Sequence, residues 1–114
     1  MLSATPSTII DNSNVTHYNL LMIKSFADKH TEQLFLEGVS KSIPPEIMAR
    51  TLRKLDRIDT AYVIGDLRVP PENRLHMLEG NRKGQYSISI NDQWRICFRF
   101  EGGNAFDVQV CDYH

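Results

Sequence analysis

Residues 86–111 read YSISINDQWRICFRFEGGNAFDVQVC. Apolar and polar side chains alternate through this stretch, the period of a strand whose two faces meet different surroundings. Tyr86, Ile88 and Ile90 alternate against Ser87 and Ser89; Trp94, Ile96, Phe98 and Phe100 against Arg95, Cys97 and Arg99. Phe106, Val108 and Val110 alternate against Asp107, Gln109 and Cys111. Asn91-Asp92-Gln93 and Gly102-Gly103 fall where hairpin turns belong. The pattern predicts three antiparallel strands with one apolar and one polar face. Arg95 and Arg99, two residues apart, should project from the polar face together.

Upstream, RLHMLEG (74–80) predicts a further strand, with Arg74 and His76 on one side, and residues 80–84 a loop carrying Arg82 and Lys83. VIGDLRVPPENRL (63–75) reads as a long connection. SIPPEIMARTLRKLDRIDTAY (42–62) is the clearest helix. Pro44 and Pro45 suit its first turn, Glu46 suits the positive end of its dipole, and Met48, Leu52, Leu55 and Ile58 recur at helical spacing beside Ile47. On another face Arg50, Arg53, Lys54 and Arg57 make a basic stripe, either a solvated surface or a docking face for RNA or a partner. A shorter helix is predicted in HTEQLFLEG (30–38), with Asp28 as N-cap and Gly38 as stop. MIKSFA (22–27) alternates as a short strand. The order strand, two helices, four-strand meander defines an α+β domain whose helices cover the apolar face of the sheet.

Residues 1–21 differ: one acidic residue (Asp11), no basic one, and many Ser, Thr and Asn. They read as a flexible N-terminal extension, with Met22 a candidate start and residues 22–114 the domain. The chain of 114 residues has a formal net charge of −1, so bulk charge gives no steering toward nucleic acid. The two cysteines, Cys97 and Cys111, sit in no zinc spacing and read as buried thiols. His17, His30, His76 and His114 never pair as HxH or HxxxH, and there is no dinucleotide fingerprint, P-loop or nucleophile elbow. No apolar run spans a bilayer, and no Lys or Arg precedes Lys24 as a signal peptide would require.

The chemistry that remains is proton transfer beside fixed positive charge. Histidine titrates near neutral pH, and arginine offers a planar fork to phosphoryl oxygens. With a base for a 2′-hydroxyl and an acid for the leaving 5′-oxygen, such groups suffice to cut RNA. His76, Arg95 and the closing Asp112-Tyr113-His114 are the candidates. Each also has an ordinary alternative: a packed or solvated His76, an Arg95 stacked beside Trp94 or ion-paired at the surface, and a frayed terminal histidine.

Residues 22–114 resemble the HigB toxins, a branch of the RelE-like toxins of bacterial type II toxin–antitoxin systems. MIKSF (22–26), IDTA (58–61), IGDL (64–67), RLHMLEGNRKGQYSISINDQWRICFRF (74–100) and the closing DYH carry the resemblance. It implies a β-α-α-β-β-β-β fold, a twisted and mostly antiparallel sheet with both helices on one face. It implies a ribosome-dependent endoribonuclease of the bacterial cytoplasm that cuts translated mRNA in the ribosomal A site by 2′-hydroxyl attack, with no metal or other cofactor. Its implied partners are the mRNA, the ribosome and a HigA-like helix-turn-helix antitoxin; no membrane is involved. His114 and Asp112 would serve as the acid/base group, His76 as a second proton-transfer or orienting residue, Arg95 as the phosphate clamp, and Tyr113 would stack on or orient the nucleotide. Arg74, Arg82, Lys83 and Arg99 are the candidate RNA contacts. The chain departs from the family at Glu79, where relatives tend to carry lysine, which removes a positive charge near the RNA path. The alternative is a non-catalytic module that binds ribosome or antitoxin and blocks translation by occupancy.

Overall fold

The computed structural model describes residues 22–112. Helix α1 (Lys29–Glu37) starts at Asp28, whose carboxylate accepts the Thr31 N–H at 2.8 Å. It stops at Gly38, where φ is 85°, a conformation that costs an L side chain. Helix α2 (Pro45–Thr60) follows Pro44, so the first turn begins where a missing N–H needs no partner. It buries Ile47, Thr51, Leu55 and Ile58 and leaves Met48 and Leu52 half-buried. The buried face is thus centred one position away from the predicted Met48–Leu52 line.

Four strands follow: β1 (His76–Met77), β2 (Tyr86–Ser89), β3 (Trp94–Glu101) and β4 (Asn104–Asp112). They form one antiparallel sheet in sequence order. Between β3 and β4, Gly102 and Gly103 have φ of 58° and 82°. Two consecutive positive φ values are what a tight hairpin turn demands of its central residues. Ile23, Leu34, Ile58, Ile88, Ile96, Phe98 and Val108 are fully buried between the helices and one face of the sheet. Each such side chain contributes about 1.5–3 kcal/mol by leaving water. Helix α1 is also tied to the sheet by a hydrogen bond, the buried Val110 N–H donating to Thr31 Oγ1 at 3.0 Å.

Two expectations shift. Residues 22–27 make two separate parallel bridges to β4, Ile23 with Ala105 and Phe26 with Val108, rather than a continuous strand. The cause is a bulge at Asp107, whose φ is 56°. Its N–H leaves the ladder and donates to Ser25 Oγ at 2.8 Å. The same bulge moves Phe106. Simple alternation groups it with Val108 and Val110, but in the structure Ala105 takes the core position and Phe106 pairs with Arg99 on the other face. The Arg99 guanidinium lies 5.2 Å from the Phe106 ring centre.

The second shift concerns residues 63–75. Two short 3₁₀ turns, Ile64–Arg68 and Pro71–Asn73, fold this connection around Asn73, which is fully buried. The Asn73 amide donates to the carbonyls of Leu67 and Val69 at 3.1 and 3.4 Å, and the Lys54 ammonium donates to its Oδ1. Arg57 donates to the Val69 carbonyl at 2.7 Å, and Arg50 to the Ile90 carbonyl at 3.1 Å. Three of the four cations of the α2 stripe therefore clamp the connection and the β2 end.

Candidate active site

The polar face of the sheet supplies the site. β2 and β3 pair Ser87 with Cys97, and β1 and β2 pair His76 with Ser87. β3 and β4 pair Arg95 with Cys111 and Cys97 with Gln109. Pairing in register keeps these side chains on one face. The turn Gly80–Arg82 folds across that face, and the Arg82 guanidinium donates to Gln85 Oε1 and Gln109 Oε1, both at 3.1 Å. The result is a cavity of about 410 Å³, with His76, Glu79, Arg82, Cys97, Cys111 and Asp112 among its lining residues.

Arg95 is 6% exposed, and its orientation is fixed at several atoms. Its Nε donates to Ser87 Oγ at 2.8 Å, and Nη2 donates to the Arg74 carbonyl at 3.0 Å. Nη2 also lies 3.3 Å from His76 Nδ1, and the same Nδ1 lies 3.2 Å from the Arg74 carbonyl. Two tautomers of His76 are therefore accommodated. With a proton on Nδ1 the ring donates to the Arg74 carbonyl and leaves Nε2 basic. With Nδ1 unprotonated it accepts from Arg95, and Nε2 carries the proton. A histidine held this way is equipped to take a proton and to give one.

The Arg74 carbonyl can reach both groups because Arg74 has a φ of 48°. That corrects the predicted strand over RLHMLEG: β1 contains only two residues, and Arg74 stands before it in the left-handed region. From that position the Arg74 carbonyl accepts from Arg95 and lies beside His76 Nδ1. Buried Asn73 immediately precedes it and anchors the turn. Neither Asn73 nor Ser87 stands out in the sequence. For Ser87 a signal exists, since it falls on the polar face of the strand predicted beside Arg95; for the burial of Asn73 there is none.

His76, Arg95, Arg82 and Asp112 are brought to one region. Asp112 accepts from Gln93 Nε2 at 3.1 Å. Tyr113 and His114 lie outside the described residues. Lys83 is exposed beside Arg82 and does not line the cavity. Arg99 projects from the same face but is held by Glu101 at 2.8 Å and Asp107 at 3.0 Å, away from the cavity. Glu79 lines the cavity, so the departure noted in the sequence puts a carboxylate at its rim. Among the described residues no group of three or more His, Cys, Asp or Glu side chains is placed to hold a metal ion. No helix among them is long and apolar enough to cross a membrane.

A four-strand antiparallel sheet covered by two helices is the architecture of the RelE-like toxins. A chain of the YoeB-YefM complex from Staphylococcus aureus shares the fold, with a TM-score of 0.53 over 81% of this chain and 97% of that one at 15% identity. Residues 24–114 match the HigB-like toxin family, RelE-like toxins of type II toxin–antitoxin systems, and the chain belongs to that family. "Endoribonuclease HigB" of Proteus vulgaris is 41% identical over 93 residues, 82% of this chain and the whole of that protein. "Toxin HigB-1" of Vibrio cholerae is 40% identical over 90 residues, 78% of this chain and 95% of that protein. The toxin of such a system has an antitoxin as its partner.

Proposed function

We propose that this toxin is an endoribonuclease that cuts translated mRNA in the ribosomal A site by 2′-hydroxyl attack. The observation that carries the reading is the 3.3 Å approach of the Arg95 guanidinium to His76 at a cleft shared with Asp112 and Arg82. In the proposed reaction a base takes the 2′-proton and the freed oxygen attacks the adjacent phosphorus. Negative charge then gathers on the phosphoryl oxygens beside Arg95, and an acid protonates the departing 5′-oxygen. His76 takes one proton-transfer role or orients the other group. Asp112 and His114 form the second acid/base group, and Tyr113 stacks on a base. Arg82, Lys83 and Arg74 make phosphate contacts; Arg99 is a weaker candidate because two carboxylates already hold it. Attack by the substrate's own 2′-oxygen calls for no metal or other cofactor.

A net charge of −1 and Glu79 at the rim both favour weak binding to free RNA, leaving the ribosome to position the substrate. The partners would then be ribosome and mRNA, with a HigA-like antitoxin as inhibitor, in the bacterial cytoplasm. Residues 22–114 would form the working domain. In support, the fold is anchored from Met22, the Met22 and Ile23 N–H groups donating to Asp59 Oδ1 at 2.8 and 3.1 Å. Residues 1–21, outside the described part, would be an appendage.

Expression without antitoxin, followed by mapping of 5′ ends on translated and untranslated RNA, tests the reading. New ends confined to translated mRNA are expected. Growth arrest without new ends would favour the occupancy mechanism and end the nuclease proposal.

A further inference from the structure

The cleft holds two groups that RNA cleavage does not use. Cys97 on β3 and Cys111 on β4 both line it. The register sets them on a diagonal, since Arg95 faces Cys111 and Cys97 faces Gln109. Both thiols thus project from the same sheet face on neighbouring strands. The Cys111 thiol donates to the Gln109 carbonyl at 3.7 Å, and neither cysteine is in a disulfide. Arg82 and Arg95 place positive charge beside Cys97. These are the only cysteines in the chain, and both sit in the one cavity that the nuclease reading needs open.

We propose that Cys97 and Cys111 form an oxidation site which a hydroperoxide converts to a disulfide, and that this bond closes the cleft to RNA. The closure rests on the nuclease reading above; the thiol chemistry does not. Thiolate character favours Cys97 as the first to react. The neighbouring Cys111 thiol draws the Cys97 thiol below the ordinary range, burial opposes, and the charges of Arg82 and Arg95 assist. The same pairing of thiols, with burial, pushes Cys111 up, so it stays protonated as the resolving thiol.

The Cys97 thiolate attacks one peroxide oxygen and the O–O bond breaks. The alkoxide leaves and takes a proton from water as the alcohol, and Cys97 becomes a sulfenic acid. The Cys111 sulfur then attacks the Cys97 sulfur, the S–O bond breaks, and the hydroxide leaves as water with the Cys111 proton. Two electrons pass from the pair to the peroxide. Diagonal neighbours on antiparallel strands stand about 7–8 Å apart, whereas a disulfide most often holds its Cα atoms at about 5.5–6 Å. Bond formation therefore pulls the end of β4 toward β3, shifting Asp112 and narrowing the cavity floor. A bond made under such strain is readily reduced, which suits a reversible control.

Full-length protein treated with hydrogen peroxide tests this by intact mass, non-reducing peptide mapping and mRNA cleavage in a translation reaction. The wild type should lose two hydrogen masses and link the peptides that contain Cys97 and Cys111. Cleavage should fall at least about tenfold, the scale of a displaced site, and return with dithiothreitol. Cys111→Ser should gain one oxygen at Cys97 and form no internal link; Cys97→Ser should form none either. Thiols that both remain open to alkylation after peroxide would overturn the site. A disulfide with undiminished cleavage would overturn the closure. If the reduced protein cuts no RNA, the nuclease reading fails, and the mass and mapping results still decide the thiol chemistry.

Discussion

Arg95 and Arg99 stand two residues apart on β3, project from the same face of the sheet, and differ in almost everything that matters to function. Arg95 is buried and bound by a serine hydroxyl, a backbone carbonyl and a histidine nitrogen. Arg99 is more exposed and lies between two carboxylates, over an aromatic ring. The cause lies on β4. Opposite Arg95 the ladder is regular and presents Cys111. Beside Arg99 the bulge at Asp107 brings a carboxylate to the guanidinium, and Ser25 is positioned by the same residue. A cation already satisfied by Asp107 and Glu101 has little left to offer a phosphate; in the proposed reaction that role falls to Arg95, oriented by Ser87 and Arg74 at the cleft.

The widest test of this contrast removes Tyr113 and His114. If the Arg95 end of the sheet is the working end, growth arrest is lost while the far-ultraviolet spectrum and melting temperature hold; a folded, still toxic protein breaks the assignment. Next, Arg95→Ala and His76→Ala should each lower single-turnover mRNA cleavage by about 10²–10⁴, the scale of anion-stabilising and acid–base groups. Rates near wild type would take those residues out of the site. Asn73→Ala should follow. Buried carbonyls left without their donors cost about 1–3 kcal/mol, readable by urea denaturation. Cleavage should also drop, because the turn that aims the Arg74 carbonyl loses its anchor. Arg82→Ala should weaken substrate binding more than turnover, raising KM with kcat nearly kept, as expected of a contact equal in ground and transition states. The smallest effect belongs to Arg99→Ala, for which cleavage within about threefold of wild type is expected of an exposed ion pair outside the site. A loss matching that of Arg95→Ala would erase the contrast.

A second pair of regions teaches the same lesson. The basic stripe on α2 and the cleft both gather cations, and in sequence the stripe is the more conspicuous. In the structure Arg50, Lys54 and Arg57 hold the connection 63–73 and the end of β2. Burial draws the Lys54 ammonium below its ordinary pKa, opposed by Glu72 and aided by the neighbouring arginines. The stripe supports the site from behind: Lys54 holds Asn73, and Asn73 holds the turn in which Arg74 presents its carbonyl.

Much was legible in the chain alone. The alternation from Tyr86 to Cys111, the Asp28 and Gly38 boundaries and the prolines before α2 are local signals, and local signals survive folding because they act through backbone conformation and nearest neighbours. They gave the α+β class and the polar face carrying Arg95. What they could not give was the register across the β3–β4 hairpin. The Gly102-Gly103 turn taken alone would pair Arg95 with Val110, and only the one-residue bulge at Asp107 puts Cys111 there instead. That bulge is held by Ser25, 82 residues away in sequence. Pairing that depends on so distant a partner exists only once the chain has closed on itself, and the cleft with its histidine, arginine and two thiols exists only with it.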